Sequence, residues 1–102
     1  MRYVRVIYTV QPEYVDTNRT NIQAVMEDLK ANPIEGMHYI TYELDGGSFM
    51  HVNIAHDEES ANKLNERESF KSFREQLKAS SPVSPPNSEK MELVGANFDI
   101  QF

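Results

Sequence analysis

Met37-His38-Tyr39-Ile40-Thr41-Tyr42-Glu43-Leu44 runs into Asp45-Gly46-Gly47 and then into Ser48-Phe49-Met50-His51-Val52-Asn53-Ile54-Ala55. This stretch decides the fold. Both flanks are rich in the β-branched and aromatic residues that suit a pleated, half-buried surface. The two glycines between them accept positive φ without a Cβ clash, which is what a tight reversal of the chain requires. Residues 37–55 are therefore read as a β-hairpin, with strands over 37–44 and 48–55.

Working outward, the chain on either side of the hairpin is helical. Upstream, Val15, Ile22, Val25, Met26 and Leu29 recur at three- and four-residue spacing, and Pro12 suits a first helical turn, so a helix is expected over 12–31. Asn32-Pro33 ends it, because the residue before proline is pushed out of the helical region. Before this helix, Val4, Val6, Tyr8 and Val10 alternate with Tyr3, Arg5, Ile7 and Thr9, the period of two that marks a strand. Downstream of the hairpin, Asp57 is a good N-cap, and Glu58 and Glu59 complement the helix dipole. Ala61, Leu64, Phe70, Phe73 and Leu77 then form an apolar stripe that slips around 67–69, which predicts two helical pieces with a bend between them. Residues 80–89, with three prolines and four serines, read as a surface loop, and a last strand is expected over 91–102.

The order β-α-β-β-α-β predicts an α+β domain spanning 1–102, with four antiparallel strands in one sheet and both helices on one face. The opposite face is the informative one. Ile7 on the first strand and Met50, Val52 and Ile54 on the third give it an aliphatic character that does not stay in water unless it binds something. A homodimer packed sheet to sheet satisfies it. Such packing also reconciles a mean hydropathy of only −0.60 with a sound core, because the charged helices then form the outside.

Composition narrows the function. The 102 residues include no cysteine, which excludes a disulfide framework, a thiolate nucleophile and a Cys-based metal site. No apolar run approaches the roughly 18 residues of a membrane helix, and no signal-peptide core is seen, so a cytoplasmic protein without membrane contact is expected. Sixteen acidic against ten basic residues leave a net charge of −6, which disfavours nucleic acid. RNA-recognition domains share this element order, but residues 47–54 lack their Lys/Arg-Gly-aromatic pattern. No His-x-x-x-His or His-Glu-x-x-His spacing and no acidic calcium loop occurs. His51 and His56, five residues apart across a strand, point to opposite faces, so no metal is expected.

Three stretches carry a likeness to a known group: Tyr8-Thr9-Val10-Gln11-Pro12-Glu13, the run from Gly46-Gly47-Ser48-Phe49 to Ile54-Ala55-His56-Asp57-Glu58-Glu59, and Ser69-Phe70-Lys71-Ser72-Phe73. With them the chain resembles the dimeric α/β-barrel superfamily and, within it, antibiotic-biosynthesis-monooxygenase-like proteins. The resemblance implies a ferredoxin-like fold, two protomers stacked sheet to sheet, and a pocket in each between sheet and helices. It also implies three classes of member: cofactor-independent oxygenases of aromatics or quinols, haem-degrading proteins, and proteins without a known substrate. The haem-degrading branch has an asparagine, a tryptophan and a histidine at positions that align with Val6, Ala55 and Ser69. None of the three groups is present, so no haem and no other cofactor is expected.

On the face that this alignment assigns to the pocket, His51 and Asn53 pair a group that titrates near neutral pH with an amide, and Tyr8 projects beside them. His51, Asn53 and Tyr8 are the candidate catalytic residues, the histidine positioning a hydroxyl or taking a proton from a phenol. Val6, Phe49, Ala55, Ser69, Phe70 and Phe73 are the candidate pocket lining. A satisfied core histidine remains the plainer reading of His51, and packed aromatics that of Tyr8, Tyr39 and Tyr42. His38 and His56, at strand ends, are expected to be exposed. Two functions stay open: a cofactor-free monooxygenase acting on a small aromatic, phenolic or quinol compound, and a non-catalytic protein that binds a small hydrophobic ligand in the same pocket.

Overall fold

The computed structural model describes residues 1–102. The first strand, β1 (Arg2–Thr9), leads through a short 3-10 turn at Pro12–Tyr14 into helix α1 (Val15–Ala31). Strand β2 (Met37–Glu43) and strand β3 (Ser48–Ala55) form the expected hairpin, joined by a 3-10 turn at Asp45–Gly47. Gly46 and Gly47 both have positive φ, at 75° and 80°. At Gly47 a Cβ would come within 3.2 Å of the Val10 carbonyl, and the Gly47 carbonyl accepts from Val10 N–H at 3.0 Å, so the turn is pinned to the end of β1.

The bend in the second helical region is real. Helix α2 (Glu58–Asn62) is capped by the Asp57 carboxylate, which accepts from Ser60 N–H at 2.8 Å. A 3-10 segment, Lys63–Glu66, follows, and after Arg67 adopts an extended conformation the chain restarts as α3 (Glu68–Ala79).

The last strand is not where the sequence suggests. Strand β4 (Ser84–Met91) occupies most of the stretch read as a loop over 80–89, and residues 92–102, read as the strand, form no helix or strand. The sheet order is β2-β3-β1-β4, with every neighbouring pair antiparallel. β4 is thus an edge strand, where proline's missing N–H removes no ladder bond on the open side. Pro85 and Pro86 sit at the irregularity in its pairing, between the Ile7↔Asn87 and Thr9↔Ser84 partners. With β4 on one side of β1 and β3 on the other, β1 offers no free edge to the alternating apolar residues of 92–102.

The helices cover one face. Tyr8 and Val10, Phe49 from β3, Ile22 and Val25 from α1, and Phe73 and Leu77 from α3 make the core. The opposite face carries Ile7, Met50, Val52 and Ile54, joined across the β2–β3 register by Ile40 and Tyr42. Ile40 is 39% and Tyr42 49% exposed.

Candidate functional site

Register builds the site. Val6 pairs with His51, Tyr8 with Phe49, Thr41 with His51 and Tyr39 with Asn53, all with side chains on the helix-covered face. His51 is 4% exposed and has a tyrosine hydroxyl at each ring nitrogen: Tyr8 Oη lies 2.7 Å from Nε2 and Tyr39 Oη 2.5 Å from Nδ1, with Thr41 Oγ1 at 3.3 Å from Nδ1. Behind Tyr8, the wholly buried Asn18 of α1 donates from Nδ2 to Tyr8 Oη at 2.9 Å.

Protonation follows from the environment. Burial pushes the His51 imidazole down to about 4, so it is neutral at pH 7. Burial likewise pushes both phenols up, for Tyr8 against the hydrogen bond from Asn18 and for Tyr39 with the nearby Tyr8 adding to the effect. A neutral imidazole has one donor and one acceptor nitrogen. Tyr8 already accepts from Asn18 and has no acceptor for its own hydrogen except His51 Nε2, since Asn18 Oδ1 makes no hydrogen bond. Tyr8 therefore donates to Nε2, Nδ1 carries the imidazole hydrogen, and Nδ1–H donates to Tyr39 Oη. The hydrogen left unspent is that of Tyr39.

A cavity of about 200 Å³ opens against this chain of groups, its wall including Val6, Tyr39, His51, Asn53, Leu64 and Phe70. Arg2 is the one charged residue that borders it. Asn53 Nδ2 makes only a weak donation to Met37 Sδ at 3.6 Å, and Asn53 Oδ1 is buried with no partner in the chain.

Of the residues singled out in the sequence, Val6, His51, Asn53 and Phe70 meet at this cavity. The others lie elsewhere. Tyr8 sits behind the imidazole, 2% exposed. Phe49 stacks on Tyr8 at 5.8 Å between ring centroids, and Phe73 packs on the His51 ring at 5.3 Å, both within the core. Ala55 is fully buried at the sheet end, between Arg2 and Met37 in the ladder. The Ser69 hydroxyl donates to Asp28 Oδ2 at 2.7 Å and ties α3 to α1. Neither Ser69 nor Ala55 borders this cavity. His38 and His56 are exposed.

Of the chain of groups, Tyr39 is read from sequence only as a packed aromatic and Asn18 is not singled out. Tyr39 could have been found from the hairpin register, which sets it opposite Asn53 and diagonal to His51 on one face. Asn18 continues the Ile22 and Val25 stripe by one helical turn, and a polar residue on a buried stripe is itself a signal.

No family model matches the sequence, and no curated protein matches it. Solved structures do. A structure described as an antibiotic biosynthesis monooxygenase superposes with a TM-score of 0.78 at 16% identity, over 93% of this chain and 100% of that one. Rv0793 from Mycobacterium tuberculosis gives 0.78 at 14% identity, over 95% and 98%. The NE2512 protein from Nitrosomonas europaea, of unknown function, gives 0.75 at 20% identity, over 98% and 95%. At these identities the likeness is one of fold: the chain shares the α+β architecture of these three structures over at least 93% of its length.

Proposed function

We propose that this protein is a cofactor-free oxygenase of a small, single-ring phenol or quinol, bound in the cavity beside Tyr39, His51 and Asn53. The observation that carries the reading is the neutral imidazole held between two tyrosine hydroxyls, because it leaves Tyr39 with a hydrogen to donate at the cavity wall. Taking a proton is the weaker role for His51. Moving a proton from a phenol, with a pKa of about 10, onto an imidazole near 4 is uphill by about 8 kcal/mol. The donor role suits the chemistry better: a substrate phenolate accepts from Tyr39, with the Arg2 guanidinium bordering the same cavity, and a neighbouring substrate hydroxyl donates to Asn53 Oδ1.

The reaction needs no electrons beyond those of substrate and oxygen. A quinol plus dioxygen gives a hydroxyquinone plus water: one oxygen atom enters the ring at a former C–H, the other leaves as water, and the substrate supplies all four electrons. The protein contributes a stabilised substrate anion and apolar walls from Val6, Leu64 and Phe70 that keep water from the intermediate. A cavity of about 200 Å³ lies below the roughly 300–1,000 Å³ of sites for drug-sized ligands, which favours one ring over a polycycle.

The apolar outer face of the sheet supports a homodimer packed sheet to sheet, as in the dimeric α/β-barrel group to which we assign the chain. No helix is long and apolar enough to cross a membrane, and the absence of cysteine accords with a cytoplasmic setting. The test is oxygen uptake with hydroquinone under isotopically labelled dioxygen. One labelled atom in the hydroxyquinone is expected. A second reading, ligand binding without turnover, is favoured by the fact that both imidazole nitrogens are already engaged. Thermal stabilisation by single-ring quinols with no oxygen uptake would establish it in place of the first.

A further inference from the structure

A second and larger cavity, of about 490 Å³, also borders Tyr39. Met26 and Leu29 of α1, Ile34 of the following connection and Met37 of β2 line it, and Phe102 borders it as well. Phe102 belongs to residues 92–102, which add no strand to the sheet. Its ring stacks on His38 at 4.8 Å with 20° between planes and meets His56 edge-on at 6.4 Å. His38 Nε2–H donates to the Gln101 carbonyl. Phe102 is still 49% exposed, so the two histidine rings and the one hydrogen bond to Gln101 hold it in place.

This cavity is within the size range of small-molecule sites, and its apolar lining offers water few of the two to four partners it needs. Lys30 and Glu35, the charged residues that border it, are opposite in sign and favour neither anion nor cation. Phe102, Tyr39 and His38 are the aromatic residues that border it. We propose that this is a second ligand site, distinct from the His51 cavity, for an uncharged aromatic of two fused rings, and that Phe102 is its lid. The site does not depend on any reaction at His51.

Titration of the full chain, labelled with ¹³C at the methionine methyls, with 2-naphthol at neutral pH tests it. Met26 is the discriminating signal, because Met37 also contacts Asn53 and reports both cavities. A saturable shift of Met26, with Met50 on the outer face and Met91 on β4 unmoved, is the expected result. Phe102→Ala should weaken binding about tenfold, the scale of one lost aromatic pair, and Leu29→Trp, which fills the cavity, should abolish the Met26 shift. The methyl spectrum itself shows whether each variant is folded. A Met26 shift that fails to saturate, is matched at Met50, or survives Leu29→Trp in a folded protein overturns the site, and unchanged affinity in Phe102→Ala overturns the lid. Oxygen uptake plays no part in the readout, so the oxygenase reading can fail without this one.

Discussion

Tyr8 Oη and His51 Nε2 lie 2.7 Å apart on neighbouring antiparallel strands, in side chains that are only 2% and 4% exposed. His51 borders the cavity and Tyr8 does not. Its effect is transmitted: by spending its hydrogen on Nε2, Tyr8 fixes the imidazole tautomer and so decides which hydrogen Tyr39 has left. A change at Tyr8 or Asn18 is thereby felt at Tyr39 without either residue touching a ligand.

The buried imidazole makes stability depend on pH. In the unfolded chain His51 titrates near 6.5, and in the fold near 4. Between those values the unfolded chain binds the proton that the folded chain refuses, so stability falls as the pH is lowered through the window. The loss attributable to His51 is about 3 kcal/mol from pH 6.5 to pH 4, with none above about pH 7. Denaturant unfolding of the parent and of His51→Gln across this range measures it. The variant's curve should lack that slope, and equal slopes would show that His51 does not resist protonation.

Tyr39→Phe removes the unspent donor and leaves Thr41 Oγ1, at 3.3 Å, as the remaining partner of Nδ1. The stability cost should be small, about 1 kcal/mol. Quinol oxygenation should fall by about 100-fold, the scale of one lost donor to a developing anion, while thermal-shift affinity for the quinol changes much less. Steady-state oxygen uptake in the variant checks the first figure, and equal losses of binding and turnover would place Tyr39 in ordinary ligand contact.

How much of this was legible in the sequence depended on whether local pattern and tertiary context agreed. The hairpin was readable because strand period and turn glycine coincided over one continuous stretch, and β3 falls on Ser48–Ala55 as the pattern indicates. The last strand was misread because local propensity pointed the wrong way. Pro85 and Pro86 disfavour a strand, and the alternation in 92–102 suggests one, yet β1 pairs with the proline-bearing segment and leaves it at the sheet edge. At the site, face alternation grouped His51 with Asn53 and Val6, but it could not separate Phe49 and Ala55, packed into the core, from residues that border a cavity. Burial depth along a strand is set by where α1 and α3 cross it, which the strand's own residues do not encode.

Asp28 is the tie between α1 and the start of α3. Its carboxylate accepts from Ser69 Oγ at 2.7 Å, Asn32 Nδ2 at 3.3 Å and Arg67 Nη1 at 3.3 Å. The Ser69 hydroxyl foremost, helped by Asn32 and Arg67, holds it below the usual carboxylate range, with burial, the second-largest effect, opposing them. Asp28→Ala should cost about 1–2 kcal/mol at neutral pH through the lost hydrogen bonds. Because the folded carboxyl is the more acidic one, that difference should persist above about pH 4 and shrink as the pH falls further. Thermal unfolding of the variant at pH 7 and pH 3 checks both the size and the sign.

The outer face of the sheet gives the last prediction. Ile7, Ile40, Tyr42, Met50, Val52 and Ile54 lie on it together, with Ile40 and Tyr42 substantially exposed in the single chain, and contiguous apolar surface of this kind marks an interface. Light scattering at micromolar concentration should therefore give twice the chain mass of 11.8 kDa. Val52 pairs with Arg5 on one side and Ile40 on the other, so Val52→Glu places a charge in the middle of the face, where burial in a dimer would leave it unpaired and cost several kcal/mol. That variant should be monomeric at concentrations where the parent is dimeric, while the Tyr8–His51–Tyr39 contacts, on the opposite face of the sheet, stay intact. A parent that scatters as a monomer would show that the apolar face is tolerated in water, and the sheet-to-sheet dimer would have to be given up.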